Sequence, residues 1–275
     1  MAEEIKLTNP VNGAERRVFV QKAKRKPKAV MVIIHGFGEH AGRYLHMMEH
    51  MASKGISTLA LDLEGHGTET PRQGVCRSYD ILHADVSLAL SESAVRFPDI
   101  PQFVFGHSMG GGLVLNHGLT KAPDVKAYLV SAPLIRPVDN VSGPLRLVVK
   151  VLRKLAPKMT IGNDIDGSKV SSLPEEQAKY ENDPLNHGKL GVGLAVDIIE
   201  GGEWVAANAD RWEAPLLLFH ARGDQLTRFD ATEAFASKAR NCQFIPLENC
   251  EHEMHNDVTR KDVYQAMTDF ILERV

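Results

Sequence analysis

The chain predicts an α/β fold, a mostly parallel central sheet with helices on both faces. Three observations carry this. Short apolar runs alternate with helical segments in both halves of the chain, no internal repeat or low-complexity tract breaks the alternation, and the run at 30–34, Val-Met-Val-Ile-Ile, holds no polar residue. Strands separated by helices pair in parallel through crossovers, and a strand buried on both faces shows a continuous rather than an alternating apolar pattern.

Along the chain, residues 16–21 and 30–34 read as strands joined by the basic turn 22–28, 44–53 as a helix, 56–61 as a strand and 79–97 as a helix. A strand at 103–105, a helix at 109–120 and a strand at 127–131 follow. From 133 to 211, Pro, Gly, Asn and Asp separate several short helical segments and the rhythm stops, which marks an insertion. It resumes with a strand at 215–219, a helix at 230–239, a strand at 243–247 and a helix at 261–275. The expected division is a core over 1–132 and 212–275 with a helical cap over 133–211. In such sheets chemistry sits at the carboxyl ends of strands, so the loops after the strands are the places to search.

The 275 residues include 32 basic and 35 acidic side chains, a formal net charge of −3. This near balance excludes the strongly basic footprint of a nucleic-acid binder, and no nucleic-acid partner is expected. With 43% hydrophobic and 24% charged residues the composition is that of a globular chain, not a disordered one. The three cysteines, Cys76, Cys242 and Cys250, form no C-x-x-C pair, which argues against a disulfide framework or a zinc site. The stretch Met1-Ala-Glu-Glu-Ile-Lys lacks the apolar segment of a secretory signal, and the longest apolar runs fall far short of the roughly 20 residues that span a bilayer. A cytoplasmic location is expected, with peripheral membrane contact left open.

Chemistry concentrates at Gly106-His107-Ser108-Met109-Gly110-Gly111, a G-x-S-x-G motif between a strand and a helix. Such an elbow turns so sharply that its serine is held in a strained conformation, and a side chain at Gly106 or Gly110 is expected to collide with neighbouring backbone. The turn also sets the serine at the start of a helix, where developing negative charge is stabilised.

A serine hydroxyl is a weak nucleophile and needs a histidine as base and a carboxylate to orient it, in the chain order Ser, Asp/Glu, His. The loop after the strand at 215–219, His220-Ala-Arg-Gly-Asp224, presents an acid, and the loop after the strand at 243–247, Glu248-Asn-Cys-Glu-His252-Glu-Met-His255, presents imidazoles. Asp224 is assigned as the orienting acid and His252 as the base, with Asp230 and His255 as rivals. Asp230 suits the first turn of the following helix. His252 and His255 stand in H-E-M-H rather than H-E-x-x-H, and no metal is expected. The loop Ile34-His35-Gly36-Phe37-Gly38-Glu39-His40 is the expected source of the second oxyanion donor, so the backbone N–H groups of Phe37 and Met109 form the expected oxyanion hole. His35 is expected to be structural, and Asp62 and His66 of Asp62-Leu-Glu-Gly-His66-Gly67 to hydrogen-bond neighbouring loops.

With these residues placed, the chain resembles the monoacylglycerol lipase and lysophospholipase group of α/β-hydrolase-fold serine hydrolases over nearly its whole length. The matching parts are His35-Gly36 with Gly38-Glu39-His40 and Gly42-Arg43-Tyr44, then Asp62-Leu-Glu-Gly65-His66-Gly67, the elbow, Asn182-Asp183-Pro184-Leu185, Gly223-Asp224 and His252. The early Gly-x-Gly-Glu-His-x-Gly-Arg-Tyr stretch is the most group-specific, since many esterases share the elbow. The resemblance implies a triad of Ser108, Asp224 and His252, no cofactor, and a cap inserted after the sixth strand over an apolar acyl-chain tunnel. It departs at Thr68-Glu69, where the group usually places a serine shortly after the glycine.

The implied activity is hydrolysis of the carboxylic ester of a single-acyl-chain lipid, foremost monoacylglycerol to fatty acid and glycerol. Lysophospholipase and acyltransferase activity use the same triad, and the fold also serves non-catalytic ligand binders. Oligomeric state is open. In the cap, Leu145, Val148, Val149, Leu152 and Leu155 recur at helical spacing, with Arg146, Lys150, Arg153, Lys154 and Lys158 on the other side. The favoured reading is a helix whose apolar face covers the pocket; the other is a helix lying in a lipid interface.

Overall fold

The computed structural model describes residues 2–139, 143–156, 158–163 and 165–275, without the side chains of 143–147 and 150. In chain order the elements are β1 (Glu3–Thr8), β2 (Glu15–Gln21), β3 (Ala29–Ile34), α1 (Leu45–Ser53), β4 (Ile56–Leu61), α2 (Tyr79–Arg96), β5 (Gln102–His107), α3 (Met109–Lys121) and β6 (Ala127–Ser131). Then come α4 (Gly143–Leu155), β7 (Thr160–Gly162), α5 (Gly167–Val170), α6 (Pro174–Asn182), β8 (Lys189–Gly191) and α7 (Val192–Ala207). The chain returns to the sheet with β9 (Leu216–Ala221), α8 (Phe229–Ala236), β10 (Cys242–Leu247) and α9 (Arg260–Leu272).

Eight strands pair in the order β1-β2-β4-β3-β5-β6-β9-β10. The pairs β1/β2 and β2/β4 are antiparallel and the others parallel, which bears out the predicted sheet. The period-2 geometry of a strand sorts one apolar run into two cores. Val30, Val32 and Ile34 of β3 join Leu82 and Val86 of α2, Leu113 of α3 and Phe235 of α8 on one face. Ala29, Met31 and Ile33 join Met47 and Met51 of α1 and Val263 and Met267 of α9 on the other. Each buried Val, Leu or Ile contributes about 1.5–3 kcal/mol relative to exposure, so a polar residue anywhere in β3 is costly.

Two features depart from the predicted order. β1 carries Glu3, Glu4 and Lys6 and packs only Ile5 and Leu7 against the core. A charged edge strand resists pairing with other chains and shows little apolar pattern. The insertion is also not purely helical, because β7 and β8 pair antiparallel over three residues each, too short to show a period. Its last helix, α7, packs on α3, and Leu194, Ile198 and Val205 belong to the main core.

In α4 the apolar positions face two ways. Val148, Val151 and Leu155 are 52%, 48% and 77% exposed, spaced as one helical stripe pointing outward. Arg153 turns inward to pair with Asp197 of α7 at 2.7 Å. The predicted contributions of the Leu145, Arg146 and Lys150 side chains lie outside the described residues. Among the described residues no helix is long and apolar enough to cross a membrane.

Candidate active site

β5 ends at His107 and α3 begins at Met109, so Ser108 alone makes the turn, at φ 54 and ψ −118. Such a conformation costs a non-glycine residue roughly 1–3 kcal/mol and persists only where the surroundings over-determine it. They do so here. Ser108 N–H donates to Ser131 O of β6 at 2.9 Å, and Ser108 O accepts from Gly112 N–H at 3.0 Å and Leu134 N–H at 2.8 Å. A Cβ at Gly106 meets Gly110 O at 2.6 Å, and one at Gly110 meets His35 O at 2.3 Å, so both elbow glycines are sterically required as the motif predicted.

Asp224 lies in the turn after β9, where its Oδ1 accepts from Leu226 N–H at 2.7 Å and Thr227 N–H at 2.9 Å. Its Oδ2 accepts from Thr227 Oγ1–H at 2.9 Å and from His252 Nδ1 at 2.7 Å. Asp224 and His252, 28 residues apart, therefore meet. Burial alone pushes the Asp224 carboxyl up, but the charge of His252 and hydrogen bonds from His220 and His252 outweigh it and hold the group well below the usual carboxylate range. Burial likewise lowers His252, yet the charge and hydrogen bond of Asp224, with Glu253 and Glu39 beyond, raise it above the ordinary imidazole value. The ring of His107, next to Ser108, lies 4.7 Å from that of His252. No hydrogen bond joins Ser108 Oγ to His252 Nε2 among the described residues; such bonds are often long until substrate binds.

The loop after β3 sits against this pair. His35 Nδ1 meets Gly36 O at 2.7 Å while Nε2 accepts from Leu63 N–H at 2.9 Å, and burial lowers its pKa to about 4. His35 is thus a neutral loop brace. Met109 N–H is the first of α3 and has no partner within the helix. A Cβ at Gly38, at φ 74, would meet His187 O of the insertion at 2.5 Å, and His187 N–H donates to Gly38 O at 2.9 Å. The insertion therefore presses directly on the backbone beside Phe37.

The group-specific loop residues act as fasteners. Glu39 Oε1 accepts from Gly36 N–H at 2.6 Å and Tyr44 Oη–H at 2.7 Å, and Arg43 Nη1 donates to Glu39 Oε2 at 2.8 Å. The same guanidinium grips Glu253, the residue after His252, at 2.5 Å and 2.8 Å. Arg43 thereby ties the loop of Phe37 to the loop of His252. Burial pushes both carboxyls up, but the bidentate Arg43 contact takes Glu253 down to about 2. Glu39, His107 and Glu253 bring ligand atoms within 4.8 Å of one another, but Arg43 already supplies the cation between the carboxylates. His40 Nε2 pairs with Asp183 at 3.0 Å, and Arg17, held by Asp62 at 2.8 Å, lies 3.2 Å from His40 Nδ1. This chain of contacts gives Asp62 and the Asn182-Asp183 motif their work, linking core to insertion.

The rivals are placed elsewhere. Asp230 occupies the first turn of α8, 62% exposed at its side chain, and pairs with Arg228. His255 is buried, stacked 5.3 Å from Tyr44, and burial lowers it to about 3. Spacing alone did not reveal Arg43–Glu253, whose partners stand 210 residues apart, or His220, whose Nε2 lies 3.1 Å from Asp224 Oδ2. His220 stands only four residues from Asp224, but that spacing becomes a contact only through the turn after β9.

Residues 25–259 match the family model Hydrolase_4, described as serine aminopeptidase, S33. A monoacylglycerol lipase of Mycolicibacterium smegmatis is 34% identical over 252 residues, 90% of this chain and 90% of that protein. An uncharacterized abhydrolase domain-containing protein of Dictyostelium discoideum is 34% identical over 98% of this chain, which spans 29% of that relative's length. A soluble variant of monoglyceride lipase from Saccharomyces cerevisiae, solved with a substrate analog, superposes with a TM-score of 0.88 at 21% identity, covering 100% of this chain and 96% of that one. The predicted α/β-hydrolase fold is borne out, and the chain belongs to the Hydrolase_4 family of serine hydrolases.

Proposed function

We propose that this enzyme hydrolyses the carboxylic ester of a lipid with a single acyl chain, foremost monoacylglycerol, through Ser108, Asp224 and His252. The observation that carries it is the 2.7 Å bond of His252 Nδ1 to Asp224 Oδ2, and the ring of His107, the residue before Ser108, 4.7 Å from the same imidazole supports it. The carboxylate fixes the Nδ1–H tautomer and leaves Nε2 to take the Ser108 proton. Ser108 attacks the ester carbonyl, and the N–H groups of Phe37 and Met109 stabilise the oxyanion. His252 protonates the leaving alcohol, then activates the water that frees the fatty acid. The residues require no cofactor for these steps. The Mycolicibacterium relative named monoacylglycerol lipase, matched over 90% of both chains, favours an ester over the peptide bond that the family description names.

Residues 133–211 act in this reading as the cap, with α7 as its stem in the core and the remainder covering the site. Besides the outward stripe Val148, Val151 and Leu155, Met159 and Ile161 further along the insertion are 39% and 41% exposed. Beside them runs a groove lined by Thr68, Arg72, Lys158, Met159 and Lys189 among others. An apolar stripe edged by cations suits an anionic lipid surface. The same cations favour a second reading, lysophospholipase, in which they meet the substrate phosphate.

Initial rates on a monoacylglycerol and a lysophosphatidylcholine of equal chain length test this, with Ser108→Ala as the blank. The expected result is faster cleavage of the monoacylglycerol, lost in Ser108→Ala, with a higher rate on anionic than on neutral vesicles. Faster cleavage of the phospholipid moves the assignment to the second reading, and turnover of neither removes the substrate class.

A further inference from the structure

His220, at the end of β9, is fully buried, and the reaction above gives it no part. Its Nε2 lies 3.1 Å from Asp224 Oδ2 and 3.3 Å from Thr227 O, both acceptors, so Nε2 carries a hydrogen. Its Nδ1 meets Thr232 Oγ1 of α8 at 2.8 Å, where the hydroxyl donates and the tautomer is fixed. Phe229 closes one side of the ring, with centroids 5.6 Å apart. Asp224 Oδ2 is therefore shared by two imidazoles, one able to face the serine and one locked in the core.

We propose that His220 is a positioning residue that sets how strongly Asp224 holds the His252 imidazolium; this rests on the roles proposed above for Asp224 and His252. The His220 N–H, a further donor on Oδ2 beside Thr227 Oγ1–H, draws off part of the carboxylate's charge. Less of it then falls on the Nδ1–H of His252, so His252 is less basic than an undivided carboxylate would make it. His252 stays neutral to lower pH and remains competent as a base there. Removing the His220 donor has the opposite sign, giving a more basic His252 and an acid limb of activity at higher pH. The charged and titratable groups facing His252 are Asp224 from the β9 turn, His107 from β5, Glu39 and Arg43 from the loop after β3, and Glu253 and His255 from its own loop. None of them is altered by the His220 and Thr232 substitutions below.

The test is the pH dependence of kcat/KM for His220→Leu, His220→Gln and Thr232→Val, each checked for a cooperative thermal transition. His220→Leu removes the donor, and its acid limb should move upward by about 0.5 pH unit with a plateau loss of about 10-fold. His220→Gln keeps an N–H for Oδ2 and should restore most of the limb position. Thr232→Val frees the tautomer without touching Asp224 and should give a smaller upward move, which decides the matter if His220→Leu does not fold. A limb that stays in place or moves down in the folded variants overturns the proposal and leaves His220 a packing residue. Asp224→Asn run in parallel separates the two failures, because near-normal turnover there overturns the triad itself, whatever His220 does.

Discussion

Asp224→Asn should lower kcat/KM on an ester by about ten-thousand-fold while the protein keeps its fold. Asp224 Oδ2 accepts from His252 Nδ1 at 2.7 Å, and this is what leaves Nε2 unprotonated. An asparagine amide presents either a donor or a weak neutral acceptor at that place. It then permits the tautomer with hydrogen on Nε2, which cannot take a proton from Ser108. The charge matters in the same direction. His252 is raised above the ordinary imidazole value chiefly by the charge and hydrogen bond of Asp224 acting against burial. The base works only when neutral, so wild-type activity should rise with pH through that raised value, and the residual activity of Asp224→Asn should reach its plateau at lower pH. Rates across pH 5–9 with circular dichroism on the same samples check both parts, and a variant within tenfold of wild type contradicts the assignment.

Arg43→Leu should be the most damaging substitution outside the proposed triad. The guanidinium lies between Glu39 and Glu253, with side chains 8%, 2% and 4% exposed, and bonds to both. Taking out one partner of a buried ionic group leaves uncompensated charge and costs about 3–5 kcal/mol. For a chain of this size that is a fall in Tm of roughly 10 °C. Activity should fall further than stability predicts, because Arg43 is the tie between the loop carrying Phe37 and the loop carrying His252. Adding Glu39→Gln to Arg43→Leu removes one of the two facing charges and should recover part of the lost stability without the lost rate. Thermal unfolding and ester turnover of both variants decide this, and a wild-type Tm for Arg43→Leu would show that the network is solvated rather than buried.

What was legible in the sequence follows from burial. β3 is covered on both faces and so appears as an unbroken apolar run, β4 is equally buried although Ser57 and Thr58 interrupt its run, and the elbow is legible because its glycines cannot be replaced at 2.3–2.6 Å from backbone oxygens. The charged edge strand β1 has no such signature. At the other edge, Pro246 lies inside β10, as an outermost strand tolerates. In α4 the spacing grouped Val148 and Leu155 with Val149 and Leu152, yet the first two are exposed and Arg153 faces inward, because the partner at Asp197 decides which side turns in. The loop motif around Glu39, Arg43 and Tyr44 was visible as a pattern, but its purpose was not. A contact between Arg43 and Glu253 is made by the sheet bringing two strand ends together, and no local spacing encodes it. His220 falls between these cases, four residues from Asp224 and invisible until the turn is known to bring its Nε2 to the carboxylate.

The central claim is that Ser108 is the nucleophile of an ester hydrolase. The most direct measurement is to treat the protein with a fluorophosphonate, follow ester hydrolysis as labelling proceeds, and locate the adduct by peptide mass mapping. A single adduct on Ser108 whose extent matches the loss of activity, and no adduct in Ser108→Ala, is the predicted result. Modification of another residue, or hydrolysis that survives complete labelling of Ser108, would contradict it.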